Sequence, residues 1–200
     1  MGPVPFLHYR ILPYIVVALV SVVVFLLGSP LEASFEFSRV GLEKGEYWRL
    51  ITAHFAHTNS VHLILNLAGL FILYLLYGEY TKPRFYAVLF LLLALVVSCN
   101  VYLFNPELHF YVGLSGVLHG LFAWGVVQDI THKRKSAYLL LAGLFIKIMH
   151  EQLFNDTAFV ANLIDARVAI DAHLYGAIGG LSIGIILYFL DSSHKNKERI

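Results

Sequence analysis

Charged residues and cysteine are both scarce in this sequence of 200 residues. Only 14% of the residues are charged, the formal net charge is +1, and 58% are hydrophobic. A soluble domain of this length would be far less apolar, so the composition predicts an integral membrane protein. The single cysteine, Cys99, excludes an intrachain disulfide, and cysteine usage therefore gives no information about the redox compartment.

The sequence also lacks low-complexity segments, internal repeats and any polar stretch long enough for a soluble domain. One membrane domain, residues 1–200, is expected to fill the chain. Six apolar runs recur, and most approach the roughly 20 residues that a spanning helix needs. They cover residues 11–28, 61–77, 85–104, 112–128, 137–149 and 169–190. The run at 137–149 is short, so either it crosses a thinned bilayer or its ends extend into the polar residues around it.

Lysine and arginine are distributed unevenly between the two sides of such a bundle, and this bias sets the orientation of membrane proteins. With the N-terminus inside, nine of these residues fall in cytoplasmic segments and four in external loops. We therefore expect an all-α bundle of six transmembrane helices with both termini cytoplasmic. The first run lacks a small-residue cleavage site and is expected to be a retained helix. The cytoplasmic set is Arg10, Lys82, Arg84, Lys133, Arg134, Lys135, Lys195, Lys197 and Arg199, and the external set is Arg39, Lys44, Arg49 and Arg167.

Polar residues open the second, fourth and sixth spans. In this topology these three spans run from outside to inside, so their first turns lie at one depth. They hold His62 with Asn66, then Ser115, then His173. His62 and Asn66 are four residues apart and share one helix face. Because polar groups in apolar surroundings are costly unless they pair or face a wet cavity, these residues predict one shared site.

Two glycine pairs predict that the fourth and sixth spans touch. Gly116 with Gly120, and Gly176 with Gly180, have the small-xxx-small spacing that lets helix backbones approach closely. Such a contact would bring Ser115 near the histidine that opens the sixth span. A serine needs an adjacent base to become a nucleophile, and histidine is the usual base.

Structural alternatives stay open on these residues alone. A serine in a membrane helix usually bonds back to a carbonyl of the preceding turn, and small-xxx-small pairs are common packing devices. A metal site is another alternative, because His54, His57 and His62 lie close in sequence. Their spacing is not that of a helical zinc pair, and no carboxylate or cysteine lies nearby on the same element. We expect neither a metal nor a cofactor.

Four motifs together resemble the rhomboid family of intramembrane serine proteases, over nearly all of the chain. Rhomboids have a GxSG motif at the start of the fourth span and an AHxxGxxxG-like motif in the sixth. They also have a Trp-Arg pair in the first external loop and an HxxxN pair in the second span. In this sequence the motifs are Gly113-Leu114-Ser115-Gly116, Ala172 to Gly180, Trp48-Arg49, and His62 with Asn66.

The resemblance implies a cofactor-free serine protease with a dyad of Ser115 and His173 and no aspartate. It also implies an oxyanion hole formed by the Ser115 backbone amide and the side chains of His62 and Asn66. Such donors must already point into a dry pocket, and a helix start offers one with a favourable dipole. Arg49 and His57 are expected to order the loop rather than to catalyse. The residues expected to support the site are Gly113, Gly116, His119, Gly176 and Gly180.

Two further features refine the resemblance. Many rhomboids have an aromatic residue, often tyrosine, four residues after the nucleophile, where it packs on the catalytic histidine; here that position is His119. The compact length, the GLSGVLHG stretch and Lys147 with Glu151 at i, i+4 resemble the rhombosortase branch. Its members are thought to process bacterial surface proteins with a C-terminal Gly-Gly-type tail. We interpret Lys147 and Glu151 first as a salt bridge and second as a substrate contact.

Three classes of function compete. The first is an intramembrane protease of the bacterial inner (cell) membrane that cuts single-span proteins near the outer face. The second is a rhomboid-like pseudoprotease that binds membrane helices without cleavage, which the presence of both dyad residues disfavours. The third is a small transporter with a histidine proton relay, although the sequence lacks the embedded acidic residues and inverted repeats typical of that class. No nucleic acid partner is expected.

Overall fold

The computed structural model describes residues 7–155 and 157–197, and this part of the chain is a helical bundle. Residues 1–6, 156 and 198–200 lie outside the described residues, and they include Arg199, one of the predicted cytoplasmic cations. In chain order the elements are α1 (Leu7–Arg10), α2 (Leu12–Leu27), α3 (Ser29–Phe35), β1 (Phe37–Ser38), α4 (Arg39–Glu43), α5 (Arg49–Thr52), a 3₁₀ turn (Ala53–Phe55), α6 (Ser60–Tyr77), α7 (Pro83–Phe104), β2 (Phe110–Tyr111), α8 (Ser115–Thr131), α9 (Ser136–Phe154), α10 (Ala158–Ile164) and α11 (Ile170–Lys197).

Local sequence signals fix where several of these helices begin and end. The Asn59 side chain caps α6 by accepting a hydrogen bond of 2.9 Å from the backbone N–H of His62. Proline is tolerated in a first helical turn because its missing N–H has no partner there, and α7 begins at Pro83. The cap at Asn59 places His62 in the first turn of α6, where the sequence predicted it.

Four helices are long and apolar enough to cross a membrane: Ser60–Tyr77, Pro83–Phe104, Ser136–Phe154 and Ile170–Ser192. Two others are shorter, since α2 has 16 residues and α8 has 17. The prediction of a mostly helical, multi-pass integral membrane protein is confirmed. The count of six spans and the orientation stay predictions.

The helix that contains the fifth apolar run is longer than the run itself, which covers residues 137–149. Helix α9 spans 19 residues, Ser136–Phe154, so its ends extend into polar residues. Of the two alternatives for this short run, the structure agrees with the extension into polar residues: Glu151 and Gln152 lie past the apolar run, and the helix continues to Phe154. Asn155 caps the C-terminal end of α9 in the left-handed backbone conformation, which is common at this position and which asparagine tolerates. Glu151 therefore belongs to the helix and not to the following loop.

Helix α8 is the centre of the bundle and packs against α6, α7, α9 and α11. Its contact with α11 is made through backbone. A methyl group added at Gly176 would collide with the carbonyl oxygen of Gly116, and one added at Gly180 with that of Gly120. The structure thus brings the two helices together at the four glycines of the small-xxx-small pairs.

The segment between α2 and α6 folds into short elements beside the start of α8. Strand β1 pairs antiparallel with β2, which leads directly towards α8. The Arg49 guanidinium donates to the carbonyl oxygens of Ala33 and Glu36, both at 2.7 Å, and to the Glu46 carboxylate at 2.6 Å. These partners all lie within the segment, as the predicted loop-ordering role of Arg49 requires.

Candidate active site

A strained turn positions the start of α8. Gly113 has a φ of +113°, which side chains other than glycine rarely adopt. A Cβ atom here would also lie only 2.7 Å from Nε2 of His62. The Gly113 N–H donates to the Ala53 carbonyl at 3.0 Å, and the Tyr111 hydroxyl donates to the Gly113 carbonyl at 2.9 Å. The backbone just before Ser115 is therefore held from both sides.

Ser115 and His173 are in hydrogen-bond contact. Ser115 is the first residue of α8, and its Oγ lies 2.9 Å from Nε2 of His173 in the first turn of α11. The imidazole is buried, with 5% of the residue exposed. A hydroxyl bonded to an imidazole nitrogen is the arrangement in which histidine can remove the proton of a serine nucleophile. The two side chains meet at the end of the glycine contact between their helices.

The second nitrogen of His173 faces a carboxylate that no sequence motif predicted beside it. Nδ1 of His173 lies 3.1 Å from both carboxylate oxygens of Glu151. One of these oxygens also accepts a bond of 2.8 Å from Lys147, so the predicted salt bridge is present. Helical spacing related Glu151 to Lys147, but no sequence signal placed the end of α9 beside α11.

His62 and Asn66 lie on one face of α6 and are both buried. The Asn66 amide donates to the His62 carbonyl at 3.0 Å. Thr58 contacts Nδ1 of His62 through its hydroxyl at 3.1 Å and its backbone N–H at 3.4 Å, which leaves Nε2 beside Gly113. The backbone N–H of Ser115 has no acceptor within α8, because it belongs to the first turn. These donors thus converge on the start of α8.

The ring of His119 stacks on the ring of His173. The ring centroids are 4.2 Å apart and the planes differ by 18°. Nδ1 of His119 donates to the Ser115 carbonyl of its own helix at 2.7 Å. This contact holds the ring flat against the histidine, as expected for the aromatic residue that many rhomboids have at this position.

We expect His119→Tyr to retain most of the activity on a reporter substrate, because another aromatic ring can cover the same face of His173. His119→Phe is the matched control, since its side chain keeps an aromatic ring at this position but has no group that can gain or lose a proton. The measurement is the turnover number of purified enzyme in detergent or liposomes. If both variants lost as much activity as Ser115→Ala, His119 would take part in proton transfer and the packing role would be wrong.

Two other histidines, His54 and His57, lie near His62 in the sequence, but among the described residues the three do not form a cluster of metal-ligating atoms. His54 is fully buried, with Nε2 at 3.0 Å from the Ser98 hydroxyl, and burial lowers its pKa to about 4. His57 bonds the Phe55 carbonyl at 3.1 Å and fits its predicted loop-ordering role; burial, followed by repulsion from His62, lowers its pKa to about 3. Both rings are neutral near pH 7 and add no positive charge beside the site.

One cluster in the described part of the chain has metal-ligating atoms within 4.8 Å of one another: His119, Glu151 and His173. The hydrogen bonds given above already engage these side chains with one another, with Lys147 and with Ser115. We therefore assign the cluster to the serine–histidine site and not to a metal centre.

The site opens into a cavity of about 620 Å³ between α6, α8 and α9. Ser115, His173, His62 and Asn66 line one part of it, and apolar side chains line most of the rest. Three of its wall residues are also between 48% and 76% exposed: Leu65, Ile72 and Leu139. The cavity therefore reaches the lipid-facing surface, where a membrane-embedded segment could enter.

Together, the fold and the site define a helical membrane protein with a hydrogen-bonded serine and histidine in an apolar cavity. The family model described as the rhomboid domain matches residues 44–189, and the chain belongs to the rhomboid family. The predicted class, an intramembrane serine protease of rhomboid type, is confirmed by this membership.

Two relatives show how far the similarity extends. The chain is 25% identical over 154 residues to the "Putative rhomboid protease YdcA" of Bacillus subtilis (strain 168), covering 74% of this chain and 70% of the relative. It is 26% identical over 155 residues to the rhomboid protease GlpG of Haemophilus influenzae (strain ATCC 51907 / DSM 11121 / KW20 / Rd), covering 75% and 72%. The rhombosortase branch and the roles of the single site residues stay predictions.

Proposed function

We propose that this protein cleaves single-span membrane proteins near the outer face of a bacterial cell membrane, with Ser115 as nucleophile and His173 as base. The observation that carries the proposal is the bond of 2.9 Å between Ser115 Oγ and His173 Nε2, at the wall of a cavity that reaches the lipid-facing surface. The test is cleavage of a membrane-anchored reporter by the purified enzyme.

The reaction follows from this geometry. As Ser115 Oγ attacks the scissile carbonyl carbon, its proton passes to Nε2 of His173. The tetrahedral intermediate collapses when the imidazolium returns this proton to the leaving amine, which breaks the peptide bond and leaves an acyl group on the serine. Water then attacks the acyl group with the histidine again as base, and both the carboxylic acid product and the free serine are released.

The negative oxygen of the tetrahedral intermediate would be stabilised by three donors. These are the Ser115 backbone N–H, the Asn66 amide and Nε2 of His62. Donors that point at a developing charge in a dry pocket act mainly in the transition state. The role of His62 requires the tautomer with its proton on Nε2, in which Nδ1 accepts from Thr58.

The length of α8 supports a site below the membrane surface. Its 17 residues span about 26 Å, which is less than the roughly 30 Å of a bilayer core. In the proposed arrangement of six spans with both termini cytoplasmic, α8 begins below the outer boundary, and Ser115 lies there. The excess of lysine and arginine in the cytoplasmic segments supports this orientation.

The substrate must present an extended peptide bond at that depth. A transmembrane helix resists unwinding, because lipid cannot satisfy the exposed backbone groups. Glycine lowers the cost of unwinding by about 1 kcal/mol per residue relative to alanine. The preferred substrates are therefore single-span proteins with small residues at the outer boundary, and a C-terminal Gly-Gly-type anchor is the class that the rhombosortase resemblance indicates.

We expect a reporter with Gly-Gly at the outer boundary of its single span to be cleaved faster than a matched reporter with Leu-Leu, because it unwinds more easily. The reporters are co-expressed with the enzyme, and the cut is mapped by mass spectrometry. A Ser115→Ala enzyme serves as the control for cleavage by host proteases. Equal cleavage of both reporters, or a cut at the cytoplasmic boundary, would contradict the proposed substrate class.

A transporter has one observation in its favour, because two acidic side chains are at least partly buried within the bundle. Glu151 is mostly buried, and Asp129 of α8 is buried with 4% exposed. Asp129, however, accepts a bond of 2.6 Å from Tyr80 and lies about 21 Å from Ser115 along α8. The two acids sit at opposite ends of the bundle, each with its own partners, and this separation favours the protease over a proton relay.

A further inference from the structure

We propose that Glu151 is a positioning residue for the serine–histidine pair, which holds His173 in the tautomer that can take the proton of Ser115. The inference rests on the proposed function, since it concerns the same site. It adds a glutamate to a pair that was predicted from the resemblance to be a dyad with no aspartate.

The two nitrogens of His173 have partners of opposite character. An ionised carboxylate only accepts hydrogen bonds, so Nδ1, at 3.1 Å from both oxygens of Glu151, must carry the proton. Nε2 is then unprotonated and can accept from Ser115 at 2.9 Å. Of the two neutral tautomers of the ring, only this one satisfies both contacts.

The surroundings fix Glu151 in this role. Lys147 lies one turn earlier on α9 and donates to Glu151 at 2.8 Å, which anchors the carboxylate from its own helix. The Glu151 side chain is 13% exposed, whereas that of Lys147 is 48% exposed. The carboxylate thus faces the site, and the ammonium group reaches towards the surface.

The negative charge of Glu151 would also stabilise the positive charge that forms on His173 during the reaction. Proton transfer turns His173 into an imidazolium, and three other groups around it carry no negative charge: His119 stacks on it from α8, His62 lies on α6, and the Lys147 ammonium is itself positive. Glu151 is the acidic side chain in contact with the ring. Because charges interact more strongly away from water, its negative charge favours the transition state.

The test is Glu151→Gln, which keeps the shape of the side chain and removes its charge. We expect kcat for a cleaved reporter to fall by about 100-fold to 10,000-fold, the upper value being the effect of neutralising the acid of a catalytic triad, while KM stays within about twofold. Lys147→Met should lower kcat less, because the carboxylate remains on Nδ1. Glu43→Gln, the same change at an exposed position, is the matched control.

A second readout is the Nδ1–H proton of His173, observed by NMR in protein labelled with 15N-histidine. A hydrogen bond to a carboxylate moves this signal strongly downfield, so we expect it in the wild-type protein and expect it to be lost in Glu151→Gln. An unchanged kcat in the variant, a joint fall of kcat and melting temperature, or no downfield signal in the wild type would overturn the inference. A wild-type protein that cleaves no reporter would instead contradict the proposed function.

Discussion

Ser115→Ala and His173→Ala are each expected to abolish cleavage of a reporter substrate while the protein remains folded. The first removes the attacking oxygen, and the second removes the base 2.9 Å from it. Because the two side chains act as one chemical unit, their effects should not add, and the double variant should be no less active than either single variant. The measurement is reporter cleavage together with the melting temperature of each purified variant.

Matched controls distinguish loss of chemistry from loss of structure. His150→Ala removes an exposed histidine of α9 one residue before Glu151, and Ser192→Ala removes a serine near the end of α11. Both should retain full cleavage. Substantial activity in Ser115→Ala or in His173→Ala would show that the pair is not the catalytic dyad.

The second large effect is expected at the oxyanion donors. His62→Ala and Asn66→Ala should each lower kcat by about 10-fold to 1,000-fold, with a smaller change in KM, because such donors act mainly in the transition state. The remaining donor and the Ser115 backbone N–H would still contact the oxyanion, so partial redundancy is expected between the two variants. Turnover and KM are measured on the same reporter.

Asn100→Ala is the control for the asparagine change, since Asn100 bonds the Val96 carbonyl one turn earlier on α7, much as Asn66 bonds that of His62. It should leave kcat unchanged. If His62→Ala and Asn66→Ala both kept full turnover, the oxyanion would be stabilised without these side chains, and their assignment would be wrong.

Much of the bundle and the main contact of the site could be predicted from local patterns. Apolar runs located the long helices, because a spanning helix must cover its backbone with apolar side chains. Glycine spacing indicated which faces of α8 and α11 meet, and a contact between those faces places Ser115 near His173. Both signals depend on residues close together in the sequence.

The contacts that complete the site could not be predicted in this way. Glu151 lies beyond the end of its apolar run, and it reaches the ring of His173 because α9 continues to Phe154 and packs against α11. The turn at Gly113 is held by Ala53, which is 60 residues earlier in the chain. Such long-range contacts depend on how the loops pack, and a periodic pattern in the sequence does not predict them.

The most direct test of the central claim, that Ser115 is an activated nucleophile, is covalent labelling with a serine-directed fluorophosphonate. The wild-type protein in liposomes should react, and mass spectrometry of the digested protein should locate the adduct on Ser115. His173→Ala should react far more slowly, because the serine loses its base. No adduct in the wild type, an adduct on another serine, or equal labelling of wild type and His173→Ala would contradict the account.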